Sequence, residues 1–517
     1  MTIVPRCQES DVECVSFSYR LCSLREDVLV DADVRRNQVL LTTMWGDITI
    51  ADPSTAVRES LERMSLGPVL LDNVLPREEA ERARVERILE VISGCVVHSL
   101  RGEDSSKPLL SVVPIARRAR FCPPEIERHR PVRLSKFALM RASDGEFVVE
   151  SPLARHRVVV HRPLAAQVIA RLSRPTVIPD IAEAVSAHDS MVSEIVTYLA
   201  AAGMVLIGVG DSPSTALFAE DHDPLLAPWT HHELLFHSRS RIGRHDNPLG
   251  SMPLELQRVQ VAPHVKPLPQ GRRYPLHRPE LSDLMQLDPP LTQVIENSQV
   301  IRDFSGGEPT VTQLGELLFR AARVRSTEKV GADDFGYFVT DRPYPSVASR
   351  YELDLYVSVD RCTGLPRGIY HYDPEGHALT LINSAEDELG ELLDVAMVAA
   401  GSLERPPLMI TMTARMARFA CAYGGIAYST VLEHVGVLQQ TLHLVATAMG
   451  LAPCALAFGD SEAANDAFLI DWPAEVSVGE LALGVRPVDY SSIGRPADSA
   501  CFVDAKRHVM VTDRLLY

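Results

Sequence analysis

Residues 231–245 read HHELLFHSRSRIGRH, four histidines and three arginines in fifteen positions of a chain whose formal net charge is −17. Such a cluster could hold a metal ion, a nucleic-acid phosphate or some other anion. His231 and His232 are adjacent and would face apart on a helix, His232 and His237 are i,i+5, and His237 and His245 are i,i+8. None is the i,i+4 pair of a helical metal site, so no metal is expected. On composition alone the stretch fits an amphipathic connector whose aromatics pack and whose arginines are solvated. A general nucleic-acid binder is disfavoured because it needs a basic footprint and the chain is acidic overall, which does not forbid a local basic pocket. The nine cysteines, at 7, 14, 22, 95, 122, 362, 421, 454 and 501, form no C-x-x-C pair. They read as reduced thiols of a cytoplasmic protein rather than disulfides or zinc ligands. MTIVPRCQESDVE has no basic, then apolar, signal pattern, and no apolar run approaches the ~20 residues of a spanning helix, so no membrane partner is expected.

The elements that would position chemistry come in three groups. Short strand-like runs in 17–50 precede helical stretches at STAVRESLERMS, with Ser54 as N-cap, and at about 77–93, where Val85, Ile88, Leu89 and Ile92 keep helical spacing. The pattern recurs: KFALMRAS, EFVVES and HRVVVHR read as strands, PLAAQVIARLS, VIPDIAEAVS and SEIVTYLAAAG as helices, and MVLIGVG as a returning strand. Both read as winged-helix-like units. Nine prolines between Pro248 and Pro290 mark an extended connector. The last region ends in a long helix over about 426–449, where Val431, Val435, Leu438, Leu442, Val445 and Met449 make one apolar stripe and Gly450 a stop. The expected division is 1–100 and 131–210 for the two modules, 101–130 for a linker, 211–290 for the connector and 291–517 for the final domain.

WTHHELLFHSRSRIGRH, IRDFSGGEPTVTQLGELLFRAARV, RPYPSVASRYELDLYV, GLPRGIYHYDPEGHAL, HVGVLQQTLHLVATAMGLAPCALAFGD and LALGVRP occur in that order over about 229–490. Together they resemble the SagB-type dehydrogenases of the nitroreductase superfamily, closest to the thiopeptide and cyanobactin branch. These flavin enzymes oxidise thiazolines and oxazolines to thiazoles and oxazoles in ribosomally made peptides. The resemblance implies an α+β fold, an intertwined homodimer, and FMN in the crevice between subunits, preceded here by two winged-helix-like peptide-clamp modules. FMN needs cations and amides at its phosphate and at the flavin edge that becomes negative on reduction.

On that resemblance, Arg302 matches the flavin-binding arginine, although the family's second arginine and serine upstream are replaced in SQVIR. Ser346 and Ser349 fall where the family has a glycine-and-serine turn, with Val347 and Ala348 in place of the glycines, and Arg350 adds a cation. Close backbone approach should be harder there. Gln440 matches a helix glutamine, Cys454 to Gly459 could bring amides to the flavin, and Arg486, after Gly484, matches an arginine that reaches phosphate. The family's Lys-Tyr pair is Ala422-Tyr423 here. Tyr423 is the expected base, weakened by loss of the neighbouring ammonium unless Arg415 or Arg418 substitutes.

The modules resemble leader-recognition domains, which take a peptide as an added strand; the helix AEAVSAHDSMVSEIVTYL carries no Lys or Arg and is a poor surface for DNA phosphates. The implied function is FMN-dependent azoline dehydrogenation in a precursor peptide, with oxygen as final acceptor and a cyclodehydratase as partner. Two alternatives stay open: a catalytically impaired peptide-binding scaffold, and a nitro- or quinone reductase. The His/Arg cluster is expected to pack across the junction of modules and oxidase domain, through His237 and Arg241.

Overall fold

The computed structural model describes residues 20–33, 35–102, 107–247, 262–331 and 337–488. The chain divides into two compact units, which meet in sequence between Asn247 and Pro248.

In the first unit, Leu29–Asp33, Gln38–Thr43 and Gly46–Ala51 form a three-stranded antiparallel sheet. Helices Thr55–Ser65 and Glu79–Val91 follow. Ser54 caps the first of them, accepting the Val57 N–H at 3.3 Å. Alternation buries Val39 and Leu41, with Val57, Leu61 and Met64 from the helix packed against them. The second set repeats the order: strands Leu139–Ser143, Glu146–Glu150 and His156–Val160, then helices Pro163–Arg171, Ile178–Val185 and Asp189–Ala201. The returning strand Val205–Ile207 pairs with Val132–Leu134 rather than with that trio.

One seven-stranded sheet runs through both stretches: Val69–Leu70, Arg20–Leu24, Val96–Arg101, Pro108–Pro114, His156–Val160, Glu146–Glu150, Leu139–Ser143. Pro108–Pro114, inside the stretch expected as a linker, is thus a central strand. Its LLSVV core is buried on both faces, so it shows no alternation, and its prolines stand at its ends, where a missing N–H is tolerated.

The second unit is built on a seven-stranded antiparallel sheet in the order Arg272–Pro275, Ala378–Asn383, Gly368–Asp373, Leu353–Val359, Leu408–Arg415, Glu475–Val485, Leu451–Ala455. Leu353, Leu355 and Val357 point to one face, against helices Val311–Ala322 and Ala427–Ala448. Tyr356 points to the other, where Glu386–Ala400 and Ser461–Phe468 pack. Thr310 and Gln313 form a capping box at the first of these helices. The long helix buries Val431, Val435, Leu438 and Leu442, each contributing about 2 kcal/mol of transfer free energy. Among the described residues no helix is long and apolar enough to cross a membrane.

Candidate active site

The IRDFSGG segment is placed by main-chain contacts. Ile301 N–H donates to the Pro453 carbonyl at 3.2 Å, which lays Arg302 next to Cys454. Gly306 abuts the main chain of Val485, Arg486 and Pro487 so closely that a Cβ would collide with the Val485 carbonyl. The Phe304 ring in turn covers Gly484. Arg302, Cys454 and Arg486, far apart in sequence, therefore share one corner of the fold. Arg302 is exposed and Arg486 half-buried. Burial pushes the Cys454 thiol up to about 11, with the Arg302 charge opposing it. The CALAFG segment continues from there, and Gly459 at its end is exposed. Beneath it lies Glu480, whose carboxyl occupies the space a Gly459 Cβ would take. Burial raises that carboxyl to about 7. Gln440 faces solvent, while Gln439, one position earlier, donates from Nε2 to the Glu480 carbonyl at 3.1 Å.

A second group surrounds Ser346, Ser349 and Arg350. The turn that should have favoured glycine is made without it: Ala348 and Ser349 hold φ of 52° and 51°, and Tyr351 holds 45°. Each left-handed residue of this kind costs on the order of 1 kcal/mol, so something must fix the turn. The Ser346 hydroxyl accepts the Tyr351 N–H at 3.1 Å. The Val347 N–H donates to His434 Nε2 at 3.0 Å, and His434 Nδ1 lies 2.7 Å from Glu352 Oε1. Since Nε2 is the acceptor, Nδ1 carries the proton and donates to the carboxylate. The His434 ring also meets the edge of Phe419 (5.5 Å), and Phe419 stacks on Tyr423 at 4.8 Å. One buried imidazole thus ties the turn to the aromatic pair that carries the expected base.

Arg350 is buried, its guanidinium 4.3 Å over the Tyr337 ring. Arg415 and Arg418 do not take the place of the lysine that Ala422 replaces. Arg418 donates to the carbonyls of Arg350 (2.8 Å), Phe338 (2.7 Å) and Ala262 (3.5 Å). Arg415 lies 2.5 Å from Asp354 Oδ2 and donates to the Pro263 carbonyl. The Arg418 guanidinium is engaged by backbone and that of Arg415 by backbone and carboxylate, and among the described residues no hydrogen bond from either to Tyr423 is seen.

The donor set suits FMN. Two arginines belong to the segments joined at a glycine-permitted main-chain junction, and arginine is the residue type that suits a phosphate dianion; a strained turn and an exposed glycine are places where backbone could approach a flat ring. Spacing did not single out three contributors, Gly306, His434 and Glu480. A histidine interrupting the stripe between Val431 and Val435, and a lone acid in ELALG, were the available signals.

The His/Arg stretch forms helix His231–Ser240, capped by Thr230 and Glu233. Its described contacts lie in the first unit: Arg239 pairs with Glu150, and Asp246 pairs with Arg157 and Arg25. His237 tilts against Trp229, and Arg241 is exposed. Among the described residues no three His, Cys, Asp or Glu side chains gather where they could hold a metal.

Comparison with known proteins places these parts. Residues 132–246 match the family described as cyanobactin oxidase ThcOx, and residues 299–485 match the nitroreductase family. A curated protein of Methanocaldococcus jannaschii named as a nitroreductase is 27% identical over 184 residues, 35% of this chain and 85% of that protein. A solved structure from Ralstonia eutropha JMP134, also named as a nitroreductase, is 18% identical with a TM-score of 0.34, covering 47% of this chain and 100% of that one. The Escherichia coli microcin synthetase McbBCD complex, solved with truncated pro-MccB17 bound, contains a chain 18% identical with a TM-score of 0.29, covering 51% of this chain and 98% of that one.

Proposed function

Because residues 299–485 form a nitroreductase-family oxidoreductase domain behind a segment of ThcOx type, we propose that this protein is an FMN-dependent dehydrogenase that oxidises thiazolines or oxazolines in a ribosomally made peptide. The observation that carries the reading is the packing of IRDFSGG onto Pro453 and onto Val485–Pro487, which gathers Arg302, Cys454 and Arg486. FMN, when bound, supplies a two-electron acceptor that dioxygen can restore. Arg302 and Arg486 would hold its phosphate, and the Ser346–Arg350 turn and the Cys454–Gly459 segment would set backbone against the ring. Tyr423, stacked on Phe419, takes the carbon-bound proton as the heterocycle becomes aromatic.

The two groups of site residues suit the two sides of an intertwined homodimer interface. Exposed Met285, Leu287, Leu291 and Trp472 give a second copy apolar surface to cover. In the first unit, Leu29–Asp33 and Gly46–Ala51 each have one strand partner among the described residues, so that sheet can take a leader peptide as an added strand. In the other module His156–Val160 is already paired with Pro108–Pro114. A cyclodehydratase would supply the azolines. The described cysteines are unpaired, which suits the cytoplasm.

The test is incubation of purified protein with an azoline-bearing peptide, read by mass spectrometry as loss of two hydrogens per ring. Wild type should be yellow and active. Tyr423→Phe should keep its colour and lose at least about tenfold in rate. Gly306→Ala, which pushes the Arg302 segment off Val485, should lose bound flavin. A colourless wild type that still binds leader would instead make the chain a scaffold.

A further inference from the structure

The first unit contains a cleft of about 780 Å³ that the oxidase reading does not use. Its rim carries Arg117, Arg118, Arg120, Arg155 and Arg244, against one carboxylate, Glu90. This excess of positive charge stands out on a chain of net charge −17. The arginines are held in place by the fold. The Ser93 hydroxyl donates to the Ala119 carbonyl at 2.7 Å. Gly94 lets the Arg117 carbonyl approach where a Cβ would clash, so the 117–120 turn is fixed against the helix end. Arg155 donates to the Arg118 carbonyl and Arg244 to the Leu153 carbonyl, which pins two more guanidiniums at the cleft.

These cations are poorly compensated. Glu90 lies 3.7 Å from Arg120, and both are well exposed. Arg244 is held below its ordinary pKa by burial and by the Arg155 charge, and Arg155 likewise depresses the buried His156, whose pKa falls to about 4 chiefly through burial. An anion in the cleft would relieve both repulsions.

The walls define the kind of anion. Helix Glu79–Val91 and helix Asp189–Ala201 both end at the cleft. Of their last-turn carbonyls, Ile88 and Glu90 already accept the Ile92 N–H and Ala200 accepts the Gly203 N–H, so the polar demand of the cleft is that of its guanidiniums, which the carboxylates of a polypeptide can meet. The uncharged lining includes small and aliphatic residues, Val91, Ala154 and Gly203 among them. Among the described residues that line the cleft the one ring is that of His156, which is buried against Phe121 and offers a base no exposed face on which to stack.

We infer that this cleft is a binding site for an acidic stretch of polypeptide. Identifying that stretch with the leader of the oxidised peptide rests on the proposed function; the binding itself does not.

The test uses the full chain and fluorescence anisotropy with three labelled probes: a Glu-rich dodecapeptide, its Gln counterpart, and a single-stranded oligonucleotide of equal charge. Wild type should bind the acidic peptide, roughly tenfold or more tighter than the Gln peptide, with affinity falling as salt rises. Arg117→Glu/Arg118→Glu should weaken it by about tenfold or more, with thermal midpoint and flavin content unchanged. Equal affinity for the two peptides, or undiminished binding by a folded variant, would overturn the inference. So would oligonucleotide binding as tight as that of the acidic peptide. Should the double variant not fold, Arg155→Gln and the salt series on wild type decide in its place. Flavin absorbance on the same samples separates the two readings, since a colourless protein that binds the acidic probe defeats the oxidase and leaves the cleft.

Discussion

Two sets of arginines, one in each unit, do opposite work. Around the cleft of the first unit, Arg117, Arg118, Arg120, Arg155 and Arg244 are exposed and largely without carboxylate partners. In the second unit Arg342, Arg415 and Arg418 are buried, 4%, 6% and 1% exposed, and they reach backbone carbonyls and Asp354. The difference lies in what surrounds each cation. A guanidinium taken out of water must be met by acceptors or it unfolds its surroundings, so the buried set is spent on holding main chain together. An exposed guanidinium keeps its hydration, costs little, and stays ready for a ligand. Arginine-rich sequence alone therefore says nothing about function until burial and partners are known.

The largest effect expected from breaking this contrast is at Arg418. Arg418→Met removes the donor to the Arg350 and Phe338 carbonyls, which sit 2.8 and 2.7 Å away, without replacing it. One buried and one partly buried acceptor left without their donor should cost about 1–4 kcal/mol, measured by chemical denaturation. Because one of those carbonyls belongs to the strained 346–351 turn, flavin retention should fall as well. A variant within ~0.5 kcal/mol of wild type would mean that the buried arginines are not structural.

Glu480 sharpens the same point with the opposite sign of charge. It is buried like Arg418, but its carboxyl accepts no hydrogen bond among the described residues, and burial raises its pKa from 4.5 to about 7. A carboxyl whose folded pKa lies above its unfolded one gives stability that is fully present below the unfolded value and is lost as pH rises through the folded value. Stability should therefore drain between about pH 4.5 and 7, and stay low above that. Glu480→Gln removes the titration. At pH 8 it should unfold at a higher temperature than wild type, by an amount equivalent to at most about 3 kcal/mol, and near pH 4 the two should agree. A pH-independent difference would show that Glu480 does not titrate in this range.

What the sequence made legible follows from the range of each interaction. The long helix, the Ser54 cap and the order of strands and helices in both modules are local, written in periodicity and capping residues, and the structure places them at those positions. The central strand Pro108–Pro114 was hidden because its partners lie far away in sequence and its apolar run has no period of two. Gln440 against Gln439 turns on one residue, about 100° around a helix, which pattern reading does not resolve. Arg302 and Arg486 stood out in the sequence through the resemblance alone; what brings their segments together, Gly306 against Val485, is a close approach between stretches some 180 positions apart in the numbering. His434 escaped because its role depends on two partners, Val347 and Glu352, from another segment.

The smallest effect belongs to the exposed side of the comparison. Arg117→Ser and Arg118→Ser alter side chains that are exposed and for which no ion pair is seen among the described residues. Neither substitution disturbs the bond from Ser93 to Ala119 or the packing of Gly94, which hold the turn through main chain. Their combined change in folding stability should therefore stay within about 0.5 kcal/mol in a denaturant titration. Removing two like charges from a crowded rim could even raise stability slightly at low salt. The same double variant should lose part of its affinity for the acidic dodecapeptide, so binding and stability move independently there, whereas at Arg418 they fall together. If instead Arg117→Ser/Arg118→Ser costs as much stability as Arg418→Met, the cleft arginines are structural too, and the contrast between the two units disappears.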